Sequence, residues 1–351
     1  MITALGIGER QVRLCMLNLS LPSKSSLLSP QPSKMSFQGP YNFCANEATL
    51  PARLPTITEI NAAPEVLSEK PGCTVVAIGD HFVVKYGVKV SLGEAETMLY
   101  LQKSGIPVPR IYAAFKFPLD NEVVVSYIIM ERIHGVSLAA MYPSWDFDPM
   151  NQVAVKLSQI IEEMRKLSSP GGYCSVGSRG LRDPIFEPGK NPSVNYNGPF
   201  DTEGQLNQGF IEKLKQRGSW NKADMFYSAK LPQVLRDHDP VFTHGDLRRP
   251  NILFRTGPPS KRTGRKVLDL KNLDIVIIGW KFAGWYPSYW EYAKAMIACD
   301  PWEDDDPLPW GFWVGCLLKE FPNEYAWMNM LHQDTKILRQ RVVSVDSAKE
   351  M

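Results

Sequence analysis

His244, Asp246 and Asn251 stand in the order His-Gly-Asp-Leu-Arg-Arg-Pro-Asn, between the apolar runs Val241-Phe-Thr and Ile252-Leu-Phe. A carboxylate five residues before an amide, in a loop between short apolar strands, suits phosphoryl transfer. That reaction needs one carboxylate facing the attacking hydroxyl and a neighbouring amide oxygen on a metal ion that bridges the nucleotide phosphates. Asp246 fits the first role and Asn251 the second, with His244 joining Asp246 in the catalytic loop. Protein kinases place Arg between the His and the Asp of this pattern, so Gly245 points away from them.

The loop, with apolar residues on both sides, resembles the aminoglycoside phosphotransferase family, whose members phosphorylate small-molecule hydroxyls on a kinase-like fold. A second stretch extends the resemblance. Ile277-Ile-Gly-Trp-Lys-Phe-Ala-Gly-Trp-Tyr-Pro-Ser-Tyr-Trp-Glu-Tyr-Ala293 is similar to a segment of the family's fungal branch that reads Ile-Ile-Asp-Trp-Glu-Phe. Here Gly279 replaces the Asp and Lys281 the Glu. The resemblance implies an α+β, protein-kinase-like two-lobed fold, with a small β-rich N-lobe over about 51–130 and a larger, mainly helical C-lobe over about 134–345. It also implies ATP and Mg2+ as cofactors and an unidentified small-molecule hydroxyl as acceptor. The replaced Asp is the family's principal protein ligand for magnesium, so Gly279 puts Mg2+ binding and activity in question.

The elements that must position these residues are legible upstream. Cys73 to Tyr86 reads as two β-rich runs joined at Gly79-Asp80, a hairpin. By resemblance its second strand carries, as Lys85, the lysine that contacts the nucleotide phosphates. Leu92 to Lys103 has apolar residues at 92, 95, 98, 99 and 101, a helical period that stops before Gly105 and Pro107. The resemblance makes this the helix whose glutamate holds the lysine, with Glu94 preferred to Glu96. Glu122 to Arg132 is an apolar strand ending in polar residues. It matches the hinge between lobes, where Met130, Glu131 and Ile133 are the expected nucleotide contacts. Asp148-Pro149 opens a helix with Val153, Leu157, Ile160, Ile161, Met164 and Leu167 on one face. Residues 170–206, rich in Gly, Pro and Asn, read as an insertion packed on the larger lobe.

Composition narrows the remaining classes. The chain has 351 residues, 44% hydrophobic and 22% charged, with net charge +2, so no basic surplus favours nucleic acid. Six scattered cysteines form no Cys-x-x-Cys pair, which suggests neither zinc nor disulfides and fits a reducing, cytoplasmic setting. No apolar run approaches the roughly 18 residues of a membrane span. Residues 1–50 lack periodicity and read as a disordered tail, or as sequence upstream of a start at Met35, with a weak mitochondrial presequence as a further reading. The acidic run Glu303 to Asp306 reads as a solvated loop, or as an attractor for a cationic acceptor.

Two functional expectations follow from Gly279. One is a pseudokinase that keeps the fold and the nucleotide but not the transfer. The other is an active phosphotransferase with a rearranged metal site. Asp274 is no substitute ligand, because five residues of strand put it roughly 16 Å from position 279. Lys281 could supply some of the missing positive charge but cannot orient a phosphoryl group as a metal does.

Overall fold

Alternating apolar residues on either side of a glycine that tolerates φ +55° make the expected hairpin: β3 (Cys73–Ile78) pairs with β4 (Phe82–Gly87) around Gly79. The structure is a computed structural model that describes residues 43–119, 123–141, 147–186, 196–215, 222–256, 272–299 and 309–334. Residues 1–42, Met35 among them, lie outside that set. So do the Glu303 to Asp306 run, residues 257–271 and the last part of the expected C-lobe.

The described chain divides into two compact units. Unit 1 takes the residues up to Ala95 together with Arg110–Arg132, and unit 2 takes Glu96–Pro109 and everything from Ile133 onward. The boundary differs from the expected 51–130, because 96–109 packs with the second unit. In unit 1 an antiparallel six-stranded sheet runs in the order β1-β5-β6-β4-β3-β2. Its outer members are β1 (Phe43–Cys44) and β2 (Glu65–Lys70), and β5 (Ile111–Pro118) and β6 (Val124–Glu131) complete it. Phe43 and Cys44 pair with Ala114 and Ala113, and Glu47–Thr49 forms a 3-10 turn. Residues 43–50 therefore belong to the fold, against the expectation of a tail reaching 50, since two strand residues need only a free sheet edge to order them. The core on one sheet face joins Leu54, Ile60, Val76, Phe82, Val84, Tyr112, Ala113, Tyr127 and Ile129.

Helix α1 (Ile57–Asn61) delivers Ile60 to that core and is held by a capping box. Thr56 accepts from the Glu59 N–H while Glu59 accepts from the Thr56 N–H. Arg53 lies 2.5 Å from the other oxygen of Glu59. Helix α2 (Leu92–Lys103) spans the residues its period predicts.

Unit 2 is mainly helical. After β7 (Gly135–Ser137) and the single turn α3 (Leu138–Met141), α4 (Phe147–Arg165) buries Met150, Val153, Ala154, Leu157, Ile161 and Met164. It begins at Phe147, so Asp148 lies within its first turn instead of capping it. Helices α5 (Glu203–Lys215) and α6 (Lys222–Val234) follow, and later α7 (Trp290–Ile297), α8 (Trp310–Leu317) and a helical stretch at 322–334. Bridges from Tyr173 to Phe200 and from Cys174 to Trp285 pack the 170–206 insertion into this unit. Among the described residues no helix is long and apolar enough to cross a membrane.

Two short antiparallel ladders in unit 2 decide where the catalytic loop lies. Strand β8 (Pro240–Thr243) pairs with β11 (Gly284–Pro287), and β9 (Ile252–Arg255) pairs with both β10 (Ile275–Ile277) and β7. The loop 244–251 leaves β8 and enters β9, while the turn 278–283 leaves β10 and enters β11. Ladder register alone therefore sets the loop against the turn.

The arginine beside Glu59 and the Thr56 backbone hydrogen bond hold its carboxyl down at about 2, from an ordinary 4.5. A depressed carboxylate stabilises the fold above its unfolded pKa and loses that contribution as pH falls through the folded value. The pair is solvent-exposed, so water screens the effect and keeps it small. Glu59→Gln should therefore melt lower than wild type at pH 6, and the gap should close towards pH 2. Melting curves at both pH values measure it, and an unchanging gap would refute the assignment.

Candidate active site

Lys85 projects from β4, whose register places it opposite Val75 and Ile128. Its Nζ lies 2.6 Å from Glu94 Oε2 at the start of α2, with the two side chains only 16% and 4% exposed. Glu96, the other candidate, pairs instead with Arg179 of the insertion. An ion pair this buried carries a heavy desolvation cost and is kept intact by mutual dependence, because removing either partner strands the other charge. The lysine is thus pinned at a fixed place along the strand.

Met130 and Glu131 end β6, and Ile133 is the first residue of the chain that follows in unit 2. Several polar groups of this segment are already used. The Glu131 N–H donates to Arg110 O, the Arg132 N–H donates to His81 O, and the Glu131 carboxylate accepts from the Arg110 N–H. Glu131 therefore serves the sheet with both its N–H and its side chain.

In unit 2 the loop is held from below by one carboxylate. Glu291, fully buried on α7, accepts from the N–H of His244 at 2.5 Å and of Gly245 at 3.1 Å. Glycine is favoured at 245 because φ is +79° and a Cβ there would sit 3.2 Å from the Cβ and carbonyl oxygen of Phe282. Arg165, from the end of α4, is the nearby cation. Burial pushes its guanidinium down from the ordinary arginine range, and Glu291 opposes that shift.

His244 is also fully buried, and both of its ring nitrogens face backbone groups. Nε2 lies 3.0 Å from the Ile278 carbonyl, which can only accept, so Nε2 carries the proton. Nδ1 accepts from the Asp246 N–H at 3.1 Å. This neutral tautomer has neither a proton nor a lone pair left for a substrate. Both ring nitrogens thus face the backbone and tie the loop to the turn. Its ring meets Trp280 edge to face, with centroids 4.5 Å apart.

Asp246 emerges from this frame partly exposed. Its Oδ1 lies 3.1 Å from Arg248 Nε, and its Oδ2 accepts from Asn251 Nδ2 at 3.1 Å. The same amide nitrogen donates to the Asp246 carbonyl at 2.8 Å, which leaves Asn251 Oδ1 for other partners. Across from it, the Ile278 N–H donates to the Asn251 carbonyl at 2.9 Å, so position 279 adjoins Asn251. A Cβ on Gly279 would lie 3.1–3.2 Å from the Asn251 side-chain amide. Asp274 is held elsewhere, 3.5 Å from Arg255 at the far end of β9.

The oxygen donors of the loop and turn can be set against what the magnesium ion implied by the resemblance accepts. Magnesium takes near-octahedral oxygen ligands and one or two carboxylates. The loop and turn provide one neutral amide oxygen and one carboxylate already paired with a guanidinium. Among the described residues no group of three or more His, Cys, Asp or Glu side chains could hold a metal.

Sequence reasoning left out Glu291, Arg248 and Arg165. Glu291 had a signal, a lone carboxylate inside Tyr289-Trp-Glu-Tyr, where an uncompensated charge would be costly to bury. Arg248 and Arg165 had none beyond being basic, since only ladder and helix packing determine what they face.

Lys85→Met should destabilise unit 1 by about 3 kcal/mol, because it leaves Glu94 buried and unpaired. Adding Glu94→Leu should recover most of that loss. Urea denaturation of the two single variants and the double variant measures the coupling, and simple additivity would show that the pair is not a mutually dependent unit.

The sequence model of a family described as "Phosphotransferase enzyme family" matches residues 88–308. Solved structures similar to the chain include the apo form of a thermostable mutant of aminoglycoside phosphotransferase APH(4)-Ia, 16% identical, covering 81% of this chain and 97% of its own with a TM-score of 0.43. A GDP complex of aminoglycoside 2'-phosphotransferase-IIIa is 14% identical and covers 82% of this chain and 88% of its own, with a TM-score of 0.48. A streptomycin-ATP complex of APH(2")-IIa is 13% identical, covering 79% and 86%, with a TM-score of 0.47. No curated protein matches the chain. The matched segment is well over half of the chain and holds both the His244 to Asn251 loop and the Gly279 turn, so the chain belongs to the phosphotransferase enzyme family.

Proposed function

We propose that this chain is a kinase-like member of its family that binds a nucleotide but transfers phosphate poorly or not at all, because the position of the metal-binding Asp is Gly279. The observation that carries the reading is the αL turn at Gly279, whose nearest side-chain neighbour is the Asn251 amide and which adds no side-chain oxygen. Loss of a metal anchor worth several kcal/mol slows turnover by about a hundredfold or more.

The ancestral reaction also calls for parts that are not metal ligands. The Lys85 ammonium, fixed by Glu94, is the phosphate-binding cation. The backbone of Ile133, beyond the occupied N–H groups of Glu131 and Arg132, is the adenine contact that this reading favours. Asp246 takes the proton of an acceptor hydroxyl as the hydroxyl oxygen bonds to the γ-phosphorus, and the bond to the departing nucleoside diphosphate breaks. The intact bonding of Asp246, His244 and Asn251 favours a second reading, an active small-molecule phosphotransferase that orients phosphate in another way.

Gly279→Asp separates the two. Aspartate is among the few side chains that tolerate φ near +87°, so the apo variant should lose only about 1 kcal/mol of stability while the Asn251 amide shifts by a few tenths of an ångström. The variant should gain magnesium-dependent stabilisation by ATP. A ligand at a hundred times its dissociation constant adds about 2.7 kcal/mol, which a thermal-shift titration resolves. Wild type that already shows full magnesium-dependent stabilisation, with nothing added by the variant, would overturn the impaired reading. Should any transfer be detected, Asp246→Asn should abolish it; retained turnover would place the chemistry elsewhere.

A further inference from the structure

Glu96 is the second glutamate of α2, and the nucleotide reading gives it no task. Its carboxylate is nevertheless engaged: the Arg179 guanidinium donates to it from the insertion, with the arginine side chain 30% and the glutamate 17% exposed. The turn that delivers this guanidinium has a special backbone. The Ser175 N–H donates to the Arg179 carbonyl at 2.8 Å, and between them Gly177 and Ser178 both take positive φ, +80° and +53°. That conformation is costly for a serine, so the surroundings must hold it there. The guanidinium folds back over the turn. It donates to the Val176 carbonyl at 2.8 Å, and a Cβ on Gly177 would come within 2.8–3.0 Å of it. A strained turn, a missing side chain and a backbone acceptor together aim one arginine at one residue of α2.

Positions 94 and 96 are two apart on one continuous helix, which sets their side chains roughly 200° apart around its axis. Glu94 reaches Lys85 on one side, and Glu96 reaches Arg179 on the other. From Leu92 to Leu101 every residue except Glu96 and Tyr100 is buried, so packing surrounds the helix. Apolar contacts are non-directional, and a helix packed on all sides has no polar face to mark its rotation. We propose that Arg179 is a positioning residue for Lys85: through Glu96 it fixes the rotation of α2, and that rotation keeps Glu94 on the lysine. A turn of the helix that swings Glu94 off Lys85 must also break the Glu96 pair, so the two ion pairs hold or fail together. The consequence for phosphate binding rests on the nucleotide reading of Lys85. Without Arg179 the ammonium is no longer held at one place along its strand, and a nucleotide has to order it on binding.

The coupling between Lys85 and Glu94 is the quantity to measure, by urea denaturation of Lys85→Met, Glu94→Leu and the double variant, first in the wild-type chain and then in Arg179→Gln. In the Arg179→Gln background the coupling should fall by about fivefold in the unfolding constant, the low end of couplings between sites. Glu96→Gln should give the same fall, and it carries the test alone if Arg179→Gln does not fold. Arg179→Lys, which keeps the charge, should recover part of the loss. Lys166→Gln removes an ion pair at the end of α4 whose side chains are 68% and 63% exposed, and it should leave the coupling as it is. In calorimetric titration with ATP, Arg179→Gln and Glu96→Gln should each bind about fivefold more weakly than wild type. Unchanged coupling in both backgrounds, or ATP bound by both variants as tightly as by wild type, would overturn the inference. Wild type that binds no ATP, with the coupling still falling, would remove the nucleotide reading and leave Arg179 as the residue that positions Lys85.

Discussion

Everything in the catalytic loop depends on a buried carboxylate satisfying two backbone N–H groups. Glu291 does for His244 and Gly245 what a ladder partner would do in a sheet, at the one place where the chain must leave β8 without pairing. Unpaired donors in a buried loop cost about 1–3 kcal/mol each, so the loop could not hold this shape without an acceptor beneath it. With that anchor in place, His244 reaches the Ile278 carbonyl on one side and the Asp246 N–H on the other. Asp246 is then presented outward by a chain of bonds in which each member fixes the next.

The two units solve different problems with charge. In unit 1, Lys85 and Glu94 neutralise one another in near-complete burial, which fixes position at the expense of stability. In unit 2, Asp246 and Arg248 meet at a partly exposed loop, where water lowers both the cost and the strength of the pair. The first pair is built to stay together. The second is the weaker and more exposed of the two.

Much of this was legible in the chain itself. Helix α2 spans the residues its apolar period marks, the β3–β4 hairpin turns at Gly79, and the loop lies between two short strands as its flanks imply. The likeness of the loop to its family was readable from eight residues. What stayed hidden was everything that depends on register between distant strands. Nothing in the spacing of residues 251 and 279 says that β9 and β10 will pair so that the Ile278 N–H meets the Asn251 carbonyl. The sequence likewise reads His244 by residue type, whereas its role follows from two carbonyl and amide groups that bring no side-chain signal. The ordering of residues 43–50 was missed because a two-residue edge strand is too short for any periodicity to reveal.

The left-handed turn at Gly279 has a bearing on how such a protein comes to exist. At φ +87° the backbone is cheap for glycine, tolerable for aspartate and asparagine, and costly for nearly everything else. Replacing aspartate by glycine there removes a carboxylate while leaving the turn in its preferred conformation, so the folded state has nothing to oppose the change. Aspartate and glycine codons differ by a single base, and only the step to aspartate costs stability, about 1 kcal/mol. Position 279 is therefore a place where a side-chain carboxylate can come or go at little cost to the fold.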